Sequence, residues 1–117
     1  MLKGLGGLAG LGDMSKMMKA AQEMQAKMAE LQDSFARMNV VGESGAGLVT
    51  ATCSVKGDLK MLDIDPSIFD PTQKEVVEDL IVAAIKDAQK KAADRAQDEM
   101  KRLYESLGLP ADMKLPF

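Results

Sequence analysis

Few residues in this chain have the type and spacing to do chemistry. Histidine is absent from its 117 residues, which removes the commonest general base and the commonest metal ligand together. The single cysteine, Cys53, sits among alternating apolar and polar residues with no base to activate it, so a buried structural thiol is expected rather than a nucleophile. One cysteine also excludes an intrachain disulfide and fits a reducing compartment. Asp63 and Asp65 stand two apart on an extended segment and share a face, but two carboxylates without further ligands make a poor metal or acid–base site. They read as the solvated end of a strand. Gly42-Glu43-Ser44-Gly45-Ala46-Gly47 has the glycine spacing of a phosphate loop, yet Leu48 occupies the lysine position. Gly4-Leu5-Gly6 places Ala9 in the third slot of a dinucleotide fingerprint with no strand before it. Both motifs fail on context. Met14, Met17, Met24, Met28 and Met38 could suggest a soft-metal site, but methionines at heptad spacing are much more often core residues. No catalytic residue, cofactor site, metal site or small-molecule substrate is expected.

The elements that carry these residues follow from periodicity. Residues 1–12 combine one positive charge with five glycines and read as a flexible Gly-rich tail rather than a signal peptide. Asp13 is placed to cap a helix. From there Met14, Met17, Ala21, Met24, Met28, Leu31, Phe35 and Met38 recur at alternating spacings of three and four, the strongest periodic signal in the chain. A short strand around Val40-Val41 precedes the glycine turn. Val49, Ala51, Cys53 and Val55 then alternate with Thr50, Thr52 and Ser54, the period-two signature of a half-buried strand. Lys56-Gly57-Asp58 reverses the chain into a strand over Leu59 to Asp65, and Pro66 and Pro71 close the β region. A second helix is expected to start near Asp70 or Thr72. Its apolar stripe runs Val77, Ile81, Ile85, Ala88, Ala92, Ala96, Met100, Leu103 and Leu107, and Gly108 and Pro110 end it.

The class is therefore α+β: a long N-terminal helix, a three-stranded antiparallel meander and a long C-terminal helix. Residues 13–108 form the single domain, and 109–117 a C-terminal tail. The alanine run in the second stripe lets a neighbour approach that helix's backbone. At about 1.5 Å per residue the helices would be roughly 37 and 50 Å long. A domain of this size has a radius of gyration of only about 13 Å, so the helices should overhang the sheet. A symmetric homodimer is the simplest way to cover the exposed stripes. No uninterrupted run of apolar residues is long enough for a transmembrane helix, and a cytoplasmic protein is expected.

Charge sets a second limit. Fifteen basic residues against eighteen acidic give a net charge of -3, which excludes a polybasic nucleic-acid clamp. Aromatic residues make up 3% of the chain, too few for a base-stacking platform. Among the cations on the helices are Lys16, Lys19 and Lys27 on the first, away from its seam, and Lys86, Lys90, Lys91, Arg95, Lys101 and Arg102 on the second. Acidic residues interleave with the latter set, so mixed-charge solvated faces account for them by default.

A family resemblance tips that balance. Val41-Gly42-Glu43-Ser44-Gly45-Ala46-Gly47-Leu48-Val49 resembles the signature of the YbaB/EbfC family of bacterial nucleoid-associated proteins. Ile64-Asp65-Pro66-Ser67, Glu78-Asp79-Leu80-Ile81-Val82-Ala83-Ala84, the glycine-rich start and the ending Leu115-Pro116-Phe117 are similar to the family's pattern as well. The resemblance implies a tweezer-like homodimer that binds double-stranded DNA with little sequence specificity. It also implies association with the nucleoid, without catalysis, in a role organising the chromosome or influencing gene expression. It supplies no portable motif for DNA contact, so the nine cations named above are candidates by charge and helix position alone. The alternative is a helical protein–protein adaptor whose methionine-rich grooves receive partner helices, with DNA contact secondary.

Overall fold

The structure, a computed structural model, describes residues 2–108, with side chains from Met14 onward. Helix α1 spans Leu2–Phe35, strands β1, β2 and β3 span Asn39–Ser44, Val49–Ser54 and Leu59–Ile64, and helix α2 spans Lys74–Ser106. Single 3-10 turns at Pro66–Ile68 and Pro71–Gln73 join β3 to α2. The α-β-β-β-α order is the expected one. The C-terminal tail expected over 109–117 lies outside the described residues. Among the described residues no helix is long and apolar enough to cross a membrane.

The chain divides into two compact units, residues 1–31 and 32–117. The first is most of α1. Its backbone is helical from Leu2, so Asp13 lies inside the helix rather than at its N-cap. Each glycine lowers helix stability by about 1 kcal/mol relative to alanine but does not forbid the conformation, and residues 1–12 contain no proline. The methionine seam on this helix is open in part. Met14 and Met17 are 59% and 70% exposed, while Met24 and Met28 are half-buried.

The second unit holds the sheet and α2. The strands form an antiparallel meander in the order β1-β2-β3. Val40 pairs with Cys53, Gly42 with Ala51 and Ser44 with Val49; Ala51 in turn pairs with Leu62 and Val49 with Ile64. Alternation sends Val49, Ala51 and Cys53 to one face, where all three are fully buried against Ala84 and Ala88 of α2. The opposite face carries the row Val41, Thr52 and Met61, with Val41 and Met61 more than half exposed. β1 is longer than expected because Gly42-Glu43-Ser44 belong to the strand. The turn proper is Gly45-Ala46-Gly47-Leu48, and φ is positive at its first three residues, 59°, 54° and 89°, a conformation glycine adopts at little cost.

Gly42 fixes how closely strand and helix approach. A Cβ at this position would lie 2.2 Å from the Ala88 amide nitrogen and 2.6 Å from both the Ala84 carbonyl oxygen and the Ala88 Cα. Backbone therefore packs on backbone, which only a glycine facing alanines permits. The observed alanine ridge is Ala84, Ala88 and Ala92. Ala84 falls outside the stripe expected from sequence, and Ala96 is only half-buried. α2 starts at Lys74, because Asp70 caps the 3-10 turn containing Pro71 instead of the helix itself. Past its far end Gly108 has φ 73°, the left-handed stop expected there.

Candidate nucleic-acid interface

Residues with conventional reactivity are committed to structure. Cys53 is fully buried, and burial first, then the nearby negative charge of Asp58, pushes its thiol up, away from the reactive thiolate. The Asp65 carboxylate accepts the Ser67 amide at 2.8 Å and caps the turn that begins at Pro66. That backbone hydrogen bond, followed by the Ser67 side chain, holds Asp65 below the usual carboxylate range. Asp70 repeats the arrangement with Thr72. Asp63 is exposed on β3. A shallow surface hollow of about 320 Å³ beside Phe69, Pro71 and Val77 is lined mainly by apolar surface, and Lys74 and Glu78 at its rim pair with each other at 3.7 Å.

The cations of α2 take two different situations, set by the way the helix lies along β1. Strand and helix run in opposite directions. The Ser44 hydroxyl donates to the Leu80 carbonyl, the Glu43 amide donates to Asp87 at 2.9 Å, and the Lys91 ammonium donates to the Val41 carbonyl at 3.3 Å. Glu43 N–H and Val41 C=O belong to the outer edge of β1, where a sheet otherwise presents unpaired groups to other chains. Asp87 and Lys91, 3.0 Å apart, thus close that edge as a pair. The Glu43 amide, then the Lys91 side chain, hold Asp87 below the ordinary carboxylate range. Further along, Glu99 is 15% exposed and accepts from Arg95 at 2.9 Å and Arg102 at 3.3 Å. Lys91, Arg95 and Arg102 therefore each face an acid on their own helix.

Lys86, Lys90 and Lys101 are exposed and make no ion pair among the described residues. At 100° per residue they fall within about 60° of one another on the side of α2 opposite the buried alanines. Within the first unit, Lys16, Lys19 and Lys27 are exposed too and fall within about 80° on one flank of α1. Sequence reasoning placed all nine candidates alike. A partial signal was present: Asp87 and Arg95 precede Lys91 and Glu99 by four, the spacing of helical ion pairs. Lys90 precedes Asp94 by four as well, without a bridge, so spacing alone does not sort them.

Comparison with known proteins gives this surface a context. The model of the YbaB/EbfC DNA-binding family matches residues 11–107. A nucleoid-associated protein of Granulibacter bethesdensis is 50% identical over 97 residues, covering 83% of this chain and 91% of that protein. A nucleoid-associated protein of Agrobacterium fabrum is 47% identical over 96 residues, covering 82% and 90%. One of Rhodospirillum rubrum is 44% identical over 97 residues, covering 83% and 91%. The solved structure of an uncharacterized protein from Helicobacter pylori superposes with a TM-score of 0.65 at 20% identity, covering 76% of this chain and 94% of the other. It is similar in fold.

Proposed function

This chain belongs to the YbaB/EbfC DNA-binding family, and on that premise we propose that it is a nucleoid-associated, non-catalytic protein that binds double-stranded DNA as a homodimer with little sequence preference. The observation that carries the reading is the family match over nearly the whole folded chain, joined by relatives of similar length named nucleoid-associated proteins. The surface chemistry supports it. Exposed lysines project from both helices, the residue type that neutralises phosphates without reading bases. The chain has no tryptophan, one tyrosine and three phenylalanines, so stacking on unpaired bases has little to work with. A net charge of -3 keeps the affinity modest, in the micromolar range or weaker at physiological salt.

Open apolar surface supports the dimer. Met14, Met17 and Met18 on α1, and Val41 and Met61 on the outer sheet face, are each more than half exposed, and a second copy is the simplest cover for surfaces of this kind. The expected mass by sedimentation is about 25 kDa, twice the 12.6 kDa of one chain. Titration of a labelled duplex at several salt concentrations tests the DNA reading: log affinity should fall linearly with log salt by about 0.9 per phosphate contacted. Binding indifferent to salt would remove the phosphate-contact account. Absence of any shift, with the methionine surface instead capturing helical peptides, would favour the adaptor reading that the open methionines also suit.

A further inference from the structure

The two situations of the α2 cations assign different tasks to them. Resting on the DNA reading above, we propose that Lys86, Lys90 and Lys101 form the phosphate-contacting row of α2, whereas Lys91, Arg95 and Arg102 serve the fold.

A cation contributes to duplex binding by displacing counterions from phosphates, and one already held against a carboxylate must first give up that partner. Lys91 holds Asp87 at 3.0 Å and the Val41 carbonyl at 3.3 Å, so moving it to a phosphate would reopen the edge of β1. Arg95 and Arg102 share Glu99, a carboxylate only 15% exposed, whose charge would be left poorly solvated by their departure. Lys86, Lys90 and Lys101 carry no such cost. They are exposed and lie on the helix face opposite Ala84, Ala88 and Ala92, so neither the packing of those alanines nor the β1 edge depends on their position. Lys90 adds only the smallest of the contributions that lower Asp87.

The row also has a suitable length. From Lys86 to Lys101 is about 22 Å along the helix axis, over which one DNA strand presents about six phosphates at roughly 3.4 Å each. Ala93 and Gln97 lie between the lysines on the same face and offer an uncharged surface to a backbone. Asp79 bounds the row at one end. Asp94 flanks it between Lys90 and Lys101, exposed and without an ion pair among the described residues. Asp94 is the residue that should oppose the duplex.

The test measures anisotropy of a fluorescein-labelled 25-base-pair duplex of arbitrary sequence against the full chain at five salt concentrations. The Lys86→Gln/Lys90→Gln/Lys101→Gln variant should retain its circular dichroism spectrum and lose up to about 2.7 from the salt slope per bound subunit, at about 0.9 for each contact removed. Asp94→Asn should tighten binding about twofold at low salt. Arg102→Gln alters a side chain that is 72% exposed and leaves Arg95 on Glu99; its slope should match the unaltered chain. An unchanged slope in the triple variant, or a loss of about 0.9 or more on changing Arg102 alone, overturns the assignment while the DNA reading stands. No binding by the unaltered chain at any salt overturns both.

Discussion

Gly42→Ala isolates the contact on which the folded unit depends. The added Cβ would meet the Ala88 amide nitrogen at 2.2 Å, and ordinary van der Waals contact begins near 3.4 Å. Strand and helix would therefore have to separate by about 1.2 Å, the difference between the two. No side-chain rotamer relieves this, since all three nearest atoms are backbone. A gap of 0.5–1 Å already forfeits about a quarter to a half of each dispersion contact. The atoms affected are those of Val49, Ala51, Cys53, Ala84 and Ala88, the centre of the core. The same displacement stretches the Asp87–Glu43 and Lys91–Val41 bonds at the strand edge. Overpacking typically costs about 1–3 kcal/mol, and a backbone clash belongs at or above the upper end. At a urea m-value of about 1.5 kcal/mol/M, 3 kcal/mol lowers the midpoint by about 2 M. Urea titration followed by circular dichroism at fixed protein concentration reads it directly. Ala88→Gly should not rescue the variant, because it removes a Cβ while the clash is with the Ala88 amide and Cα. A Gly42→Ala midpoint within about 0.3 M of the unaltered chain, or full rescue by Ala88→Gly, would refute the close-packing account.

Two further outcomes follow from the same structure. Asp87 has its pKa depressed in the folded state by the Glu43 amide and Lys91. Its contribution is therefore present above the unfolded carboxyl value of about 3.9 and is lost as pH falls through the lower folded value. Urea midpoints of Asp87→Asn should consequently fall less steeply below about pH 4 than those of the unaltered chain, and identical slopes would exclude the edge clip as an acid-sensitive contact. Cys53, buried with its thiol raised, should react with a disulfide reagent only at the rate of local or global opening, accelerating through the urea transition. Rapid stoichiometric reaction in native buffer would contradict its burial.

Element identity was open to reading in this chain because the signals are local. Heptad spacing from Met14 onward marks α1, although its last member, Met38, lies past the helix end at Phe35. Strict alternation marks Val49 to Val55, and Gly57 at φ 100° and Gly108 at φ 73° stand where a reversal and a helix stop are written. Local signals misled where glycine has two uses. The five glycines in residues 1–12 put the expected helix start at Asp13, yet the backbone is helical from Leu2, since a low propensity is not a prohibition. Gly42 suggested a turn, yet it lies mid-strand, because its missing side chain answers a helix about 45 residues away.

The sequence by itself determined the order of elements, the absence of histidine chemistry and, through its resemblance, the family. Tertiary structure decided which alanines form the ridge against Gly42, which edge of the sheet is closed, and which cations have carboxylate partners. Those outcomes depend on where α2 lies on β1. That placement is set by a backbone-on-backbone contact between residues distant in the chain, to which helical periodicity and net charge are both blind.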